Sequence, residues 1–367
     1  MTLPARNKKG RRTGFTTGAC AAASAKAAVR YLVTGIQLSE IETTLPNRKT
    51  VTFPLKRCEK RDGVVITSII KDAGDDPDCT HGAEITTTVR LTEEEGITLI
   101  NGDGVGKVTK SGLGLDIGAP SITPVPRKNI SEMVLEELSV KQYKGVQIII
   151  SVPDGVKRAK KTINERLGIM NGISILGTTG IVKPYSTAAY KASVVQEINV
   201  AYAQGIRKLV FTTGSRTEKF AMDLFPFFKE ESFIQAGDFI GTALKSAART
   251  SIKLVHIVGM IGKLSKMADG KMQTHVAGSK VNMDLLAKLA EEAGVDAVTC
   301  EQIKGANTAR HAIELIKEIH IKEFGISLCR LVARVTGNYI QDQCRVSVYL
   351  FDFDGHLLAQ FSEKECS

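Results

Sequence analysis

Tryptophan is absent from the 367 residues, aromatic side chains make up only 5% of them, and no CxxC pair occurs. Scarce aromatics leave little surface on which single-stranded bases stack, so an RNA-binding role would rest on charge alone. The seven cysteines, at positions 20, 58, 79, 300, 329, 344 and 366, are odd in number and scattered. They supply neither a zinc ribbon nor a disulfide framework and fit reduced thiols. Long hydrophobic runs are also missing. The stretches 146-VQIIISV and 252-IKLVHIVGMIG fall well short of the ~20 residues that span a bilayer. The basic start, MTLPARNKKGRR, lacks the apolar segment of a signal peptide. No membrane partner is expected, and the expected compartment is the cytoplasm.

What is present is a soluble composition, 43% apolar and 24% charged, with length enough for two or three domains. Basic residues number 49 against 39 acidic, a net charge of +10, which favours anionic partners. Seven of the cations lie in the first 30 residues: Arg6, Lys8, Lys9, Arg11, Arg12, Lys26 and Arg30.

The alanine-rich run 19–33 predicts a helix, with Thr17 or Gly18 as its cap. From 40 to 100, short β-branched runs (VTFPL, GVVITSII, EITTTVRL, GITLI) between turn formers predict antiparallel strands. The glycine-rich stretch from 102 has too many turn formers for regular structure; a helix capped by Asn129 or Ser131 and a buried strand at 145 follow. Beyond 185 helices and strands alternate: helix 186–204, strand 207, helix 215–225, strand 233, helix 238–249, strand 252, helix 281–293, strand 295-VDAVT and helix 305–318. This implies a parallel sheet. The expected fold is therefore an α+β first domain (1–185) with a largely antiparallel or mixed sheet, and an α/β second domain (186–335) with a small parallel sheet. Segments around Asp354 and Gly355 predict a C-terminal hairpin within 336–367, its attachment open.

Several loops invite chemistry. In 14-GFTTGACAAASAK a Gly/Thr loop opens a helix, and free N–H groups there would attract a carboxylate or phosphate; a plain capped helix is the competing reading. FTTG recurs at 211–214, after a strand where open α/β sheets bind ligands. The run 71-KDAGDDPDCTHGAEI packs Asp72, Asp75, Asp76, Asp78 and His81 together, without the calcium-loop spacing. It is either a turn satisfied by its own carboxylates or a general-base site. The glycines at 102-GDGVGKVTKSGLG fail the dinucleotide pattern, and Gly262-Lys263 fails the P-loop pattern. Arg158, Lys160, Lys161 and Arg166 lead toward Gly177-Thr178-Thr179-Gly180 and Lys183, which suits a polyanion or a solvated turn; Lys263, Lys266, Thr274 and His275 surround a further short helix.

Together the strings GFTTGACAAASAKAA, KDAGDDPDCTHGAEI, GDGVGKVTKSGLG, TPVPR, KTINERLGIMNGISILGTTGIVKPYS and GMIGKLSKMADGKMQTHV, in that order over residues 14 to 290, closely resemble the CbiD family. The resemblance implies a cobalt-precorrin-5B C-1 methyltransferase of anaerobic cobalamin biosynthesis, giving cobalt-precorrin-6A and using S-adenosylmethionine. It also implies two domains. The substrate would be an anionic tetrapyrrole whose carboxylate arms suit a +10 protein. Cobalt would enter with that substrate, so no protein-bound metal is expected. Nucleic acid is not an expected partner, and self-association stays open. In this reading Asp76, Asp75 and His81 are candidates for the base. Thr16, Thr17, Gly18, Gly177, Thr178, Thr179, Gly180, Thr213 and Gly214 would hold the donor. Lys107, Arg158, Lys160, Lys161, Lys183, Lys263, Thr274 and His275 would hold the tetrapyrrole. A phosphotransferase using the Gly/Thr loops for ATP and a basic RNA-binding protein are the alternatives.

Overall fold

In the computed structural model the chain divides into two compact units, Met1–Thr187 and Ala188–Ser367. The structure describes residues 10–138, 143–276 and 278–362; Arg6, Lys8, Lys9 and Cys366 lie outside them.

The first unit opens with β1 (Gly14–Phe15), α1 (Thr17–Thr34), the hairpin β2 (Glu40–Thr44) and β3 (Thr50–Pro54), then β4 (Arg57–Arg61), β5 (Val64–Ile70), β6 (Glu84–Thr92) and β7 (Gly96–Asn101). The short β8 (Gly104–Val105) and β9 (Lys107–Val108) follow, with α2 (Pro124–Leu135), β10 (Gly145–Ser151), α3 (Gly155–Ala159), β11 (Ile169–Met170), β12 (Gly172–Ile173) and β13 (Ile181–Val182). The main sheet runs β4-β5-β6-β10-β7. Its pairs are antiparallel except β10 with β7, which is parallel. Because α1 is built of alanine, its backbone lies close to this sheet and is buried from Thr17 to Val29. Ser24 Oγ meets Thr67 Oγ1 of β5 at 2.9 Å. Lys26 and Arg30 tie α1 to the C-terminal end of α2 instead, Lys26 pairing with Glu136 at 2.7 Å and Arg30 with Glu137 at 2.6 Å.

Two helix starts differ from expectation. Thr16, not Thr17 or Gly18, caps α1 by accepting the Ala19 amide at 3.1 Å. Helix α2 begins at Pro124 rather than after Asn129 or Ser131. Prolines lack the N–H that a first helical turn leaves unpaired, so TPVPR starts a helix instead of ending a loop.

The second unit contains all but the first residue of α4 (Thr187–Ala203), then β14 (Lys208–Thr212), α5 (Ser215–Leu224), β15 (Phe233–Ile234), α6 (Ile240–Ala248), β16 (Leu254–Met260) and α7 (Ile261–Ala268). Then come α8 (Met283–Glu292), α9 (Ala297–Lys304), α10 (Ala309–Glu314), α11 (Glu318–Tyr339), β17 (Arg345–Phe351) and β18 (Leu357–Phe361). Its sheet runs β15-β14-β16-β17-β18, parallel up to β17, with β18 antiparallel at the edge. The C-terminal hairpin thus belongs to this sheet. The stretch 295-VDAVT is not a strand: Asp296 accepts the Thr299 amide at 2.9 Å and starts α9. An acidic cap outweighs the β-branched composition. The single helix expected over 305–318 is α10 followed by the 22-residue α11.

Candidate active site

In the first unit three loops far apart in sequence meet at the start of α1. Strand β1 pairs with β13. The Thr16 amide donates to Gly180 O at 3.0 Å, and the Gly18 amide donates to Leu176 O at 3.0 Å. Thr17 Oγ1 accepts from the Leu176 amide at 2.9 Å. A Cβ on Gly177 would lie 2.4 Å from Thr16 Oγ1, and its φ of +132° also favours glycine. The Gly/Thr strings are therefore two halves of one clasp. This corrects the expectation that the α1 N-terminus offers free amides to an anion: Gly18 and Ala19 donate within the clasp, and the hydroxyls of Thr16 and Thr17 are engaged there. Thr178 and Thr179 stay exposed on the far half.

The Asp-rich loop docks on the same strand. The Phe15 amide donates to Asp72 O at 2.7 Å, and a Cβ on Gly14 would stand 2.0 Å from the Ala73 carbonyl carbon. Arg12 forms a two-pronged pair with Asp72, whose Oδ1 also accepts the Gly74 amide at 2.9 Å. The guanidinium holds the Asp72 carboxyl below the ordinary carboxylate range. Lys71, only 1% exposed, reaches Asp78 Oδ2 at 2.6 Å. Burial opposes ionisation of Asp78, but the Lys71 charge and the Thr80 hydrogen bonds outweigh it, so its pKa is lowered. Asp72 and Asp78 thus hold the loop's shape.

Asp75 and Asp76 are engaged differently. Asp75 Oδ2 accepts the Arg12 amide at 2.6 Å, and Asp76 Oδ1 accepts the Tyr185 amide at 2.8 Å. Each interaction occupies one oxygen of its carboxylate. Beside them the His81 side chain is 54% exposed and its Nδ1 accepts the Ala73 amide at 3.1 Å. Arg158 anchors the far side, with Nε on Asp154 at 2.6 Å and Nη1 on the carbonyls of Cys79 and His81.

The expected cations separate into two kinds. Arg158 is committed to this loop, whereas Lys160, Lys161 and Lys183 are exposed next to the segments that form the junction. Lys107 is exposed on β9, across from Met170 of β11. Sequence reasoning assigned no role to Arg12 or Lys71. The alternation that turns Val65, Thr67 and Ile69 inward along β5 continues to Lys71, and would have marked it as buried.

The second unit carries its own cluster. Strand order changes direction between β14 and β16, so the carboxyl ends of these strands bound the crevice where open α/β sheets hold ligands. Thr213 and Gly214 follow β14, and Lys263 follows β16. Lys263 Nζ donates to Thr213 O at 2.6 Å and pairs with Asp238 Oδ1 at 2.9 Å. Thr274 Oγ1 donates to the same Asp238 oxygen at 3.1 Å. Buried Lys266 donates to Thr274 O at 2.9 Å. Burial would raise the Asp238 pKa, yet the Lys263 hydrogen bond and charge bring it below the ordinary value. The charge of His275 adds to that lowering. Thus the structure brings Thr213, Lys263 and Thr274 together around Asp238, a residue that sequence reasoning missed.

Among the described residues no group of His, Cys, Asp and Glu could hold a metal ion, and no helix is long and apolar enough to cross a membrane. Burial pushes the Cys20 and Cys329 thiols up to about 12, well above what a thiolate nucleophile needs.

Comparison with known proteins gives a consistent result. The family described as CbiD matches residues 4–184, and the CbiD C-terminal domain matches 273–361. A protein of Leptospira borgpetersenii serovar Hardjo-bovis (strain JB197) named cobalt-precorrin-5B C(1)-methyltransferase is 55% identical over 350 residues, 95% of each chain. One of the same name from Thermus thermophilus is 46% identical over 363 residues, 99% of this chain and 97% of that one. A crystal structure of cobalamin biosynthesis protein (cbiD) from Archaeoglobus fulgidus is 29% identical, covers 70% of this chain and 79% of that chain, and superposes with a TM-score of 0.38.

Proposed function

The chain belongs to the CbiD family, and we propose that it transfers a methyl group from S-adenosylmethionine to C-1 of cobalt-precorrin-5B. The observation that carries this reading is identity of 45% or more with enzymes of that name over nearly the whole length of both chains. Family membership displaces the phosphotransferase and RNA-binding alternatives.

The reaction breaks the sulfonium–methyl bond and forms a carbon–carbon bond, releasing S-adenosylhomocysteine. Displacement of this kind needs alignment and exclusion of water more than a protein nucleophile. The nucleophile is a ring carbon, and a carboxylate suffices to take a proton lost from the macrocycle. Asp76 and Asp75 suit that role, because one oxygen of each is fixed by a backbone amide while Asp72 and Asp78 are held by cations. Exposed Lys160, Lys161 and Lys183 suit the carboxylate arms of the tetrapyrrole, with Lys107 as a further cation. Thr178, Thr179 and the backbone at Gly177 and Gly180 line the same loop cluster. The donor's methionine end is a zwitterion, and the opposite charges of Lys263 and Asp238, beside Thr213, Gly214, Thr274 and His275, match it chemically. Cobalt enters as part of the substrate.

The test is direct: purified protein, cobalt-precorrin-5B and S-adenosylmethionine labelled in the methyl group should give a tetrapyrrole heavier by one labelled methyl. A folded protein that transfers no label would refute the reading.

A further inference from the structure

His81 differs from the carboxylates around it in how its ring is held. The Ala73 amide donates to Nδ1 at 3.1 Å, and Ala73 is wholly buried. A ring nitrogen that accepts an N–H bond has its lone pair there and carries no proton. The neutral ring therefore has its proton on Nε2. Moving that proton to Nδ1, or adding a second one, would set two N–H groups against each other and strand a buried amide.

The surroundings preserve this state. Asp72 Oδ1 stands 3.8 Å from Nδ1, a position that would favour a proton there. However, the Asp72 carboxylate is already occupied by Arg12 and the Gly74 amide. Arg158 fixes the backbone at both ends of the turn, donating to Cys79 O at 2.6 Å and His81 O at 2.8 Å. The ring is half-exposed, so its Nε2 edge is accessible.

Resting on the methyltransfer reading, we propose that His81 acts as a neutral hydrogen-bond donor, its Nε2–H binding a carboxylate oxygen of the anionic substrate, and not as the proton-accepting base. A donor aimed at one carboxylate arm fixes the orientation of the macrocycle; the proton acceptor is then one of the neighbouring carboxylates.

Two measurements on the full chain decide this. With histidine labelled in both ring nitrogens, a long-range proton–nitrogen correlation spectrum at neutral pH, with the signal assigned by its loss in His81→Gln, should show His81 as the Nε2–H tautomer. An Nδ1–H or doubly protonated pattern overturns the proposal. In methyl transfer, His81→Gln can present an amide N–H close to the position of Nε2–H, whereas His81→Ala cannot. The alanine variant should raise the tetrapyrrole KM by about 10- to 100-fold, with glutamine recovering most of the loss. Equal losses in turnover for both variants, with KM unchanged, would make His81 the base and overturn the proposal. If the unaltered protein transfers no methyl to cobalt-precorrin-5B, the functional reading fails, while the tautomer spectrum still decides how His81 is held.

Discussion

Thr17 Oγ1 accepts the Leu176 amide at 2.9 Å and donates to the Ser174 carbonyl at 3.1 Å, tying the first turn of α1 to a loop 159 residues further along the chain. Replacing Thr17 by valine keeps its shape and removes both bonds. The Leu176 amide is then left without its hydroxyl, which should cost about 1 to 3 kcal/mol. Urea unfolding should show a lower midpoint for Thr17→Val and a near-normal one for Thr17→Ser. Equal midpoints for the two would mean that the clasp adds nothing to stability.

The Lys71–Asp78 pair gives a stronger effect, because Lys71 is almost fully enclosed. Lys71→Met removes the cation and leaves a largely buried carboxylate uncompensated, at a cost of about 3 to 5 kcal/mol. The pH dependence follows from the lowered Asp78 and Asp72 values. A carboxyl with a folded pKa below its unfolded value of about 3.9 contributes stability above that pH and loses it as pH falls through the folded value. The unaltered protein should therefore hold its melting temperature down to about pH 4 and lose it steeply below. In Lys71→Met the acid loss due to Asp78 should be reduced, and a scan of melting temperature against pH checks both statements.

Asp76→Asn separates chemistry from structure. Asparagine keeps an oxygen for the Tyr185 amide, so the loop should remain in place. Removing a general base should lower turnover by about 10²- to 10⁴-fold with the melting temperature little changed. Asp75→Asn keeps the acceptor for Arg12 in the same way, and the smaller of the two losses identifies the bystander. Normal turnover in both variants would move proton transfer to another group.

Glycine substitutions distinguish contact from flexibility. A Cβ at Gly14 would run into the Ala73 backbone at 2.0 Å, whereas one at Gly262, in the first turn of α7, meets nothing within 4 Å. Gly14→Ala must separate β1 from the Asp-rich loop, and both melting temperature and methyl transfer should fall. Gly262→Ala should be neutral or add up to about 1 kcal/mol, since alanine loses less backbone freedom in a helix.

Much of this arrangement was legible because it is local. The alanine run marks α1, β-branched runs between turn formers mark β5 and β6, and strand–helix alternation marks the parallel sheet. What remained hidden depends on partners distant in sequence. Arg12 and Asp72 are 60 residues apart, so a basic residue near the chain start read as part of a charge excess when it is half of an ion pair. The ties of Thr16 to Gly180 and of Thr17 to Leu176 stay hidden because nothing in the sequence places those residues against each other. The cap role of Asp296 is masked because the surrounding valines and threonine favour a strand by composition.

The crevice at the ends of β14 and β16 offers the last test. Lys263 bonds the Thr213 carbonyl and the Asp238 carboxylate, and Asp238 also receives Thr274 Oγ1. A ligand carboxylate arriving there competes with Asp238 for the Lys263 ammonium, while a ligand ammonium competes with Lys263 for Asp238. Lys263→Met and Asp238→Asn should therefore both weaken a zwitterionic methionine tail, each by about tenfold or more, since hydrogen bonds to charged groups are worth about 1.5 to 3 kcal/mol. Titration calorimetry with S-adenosylhomocysteine on the full chain reads this directly, and kinetics show which KM rises. A rise confined to the tetrapyrrole KM would assign the crevice to the acceptor's carboxylates, for which Asp238→Asn should strengthen binding by removing a like charge. Unchanged calorimetry and kinetics in both variants would leave Asp238 and Lys263 as a strut between the first turn of α7 and the start of α6.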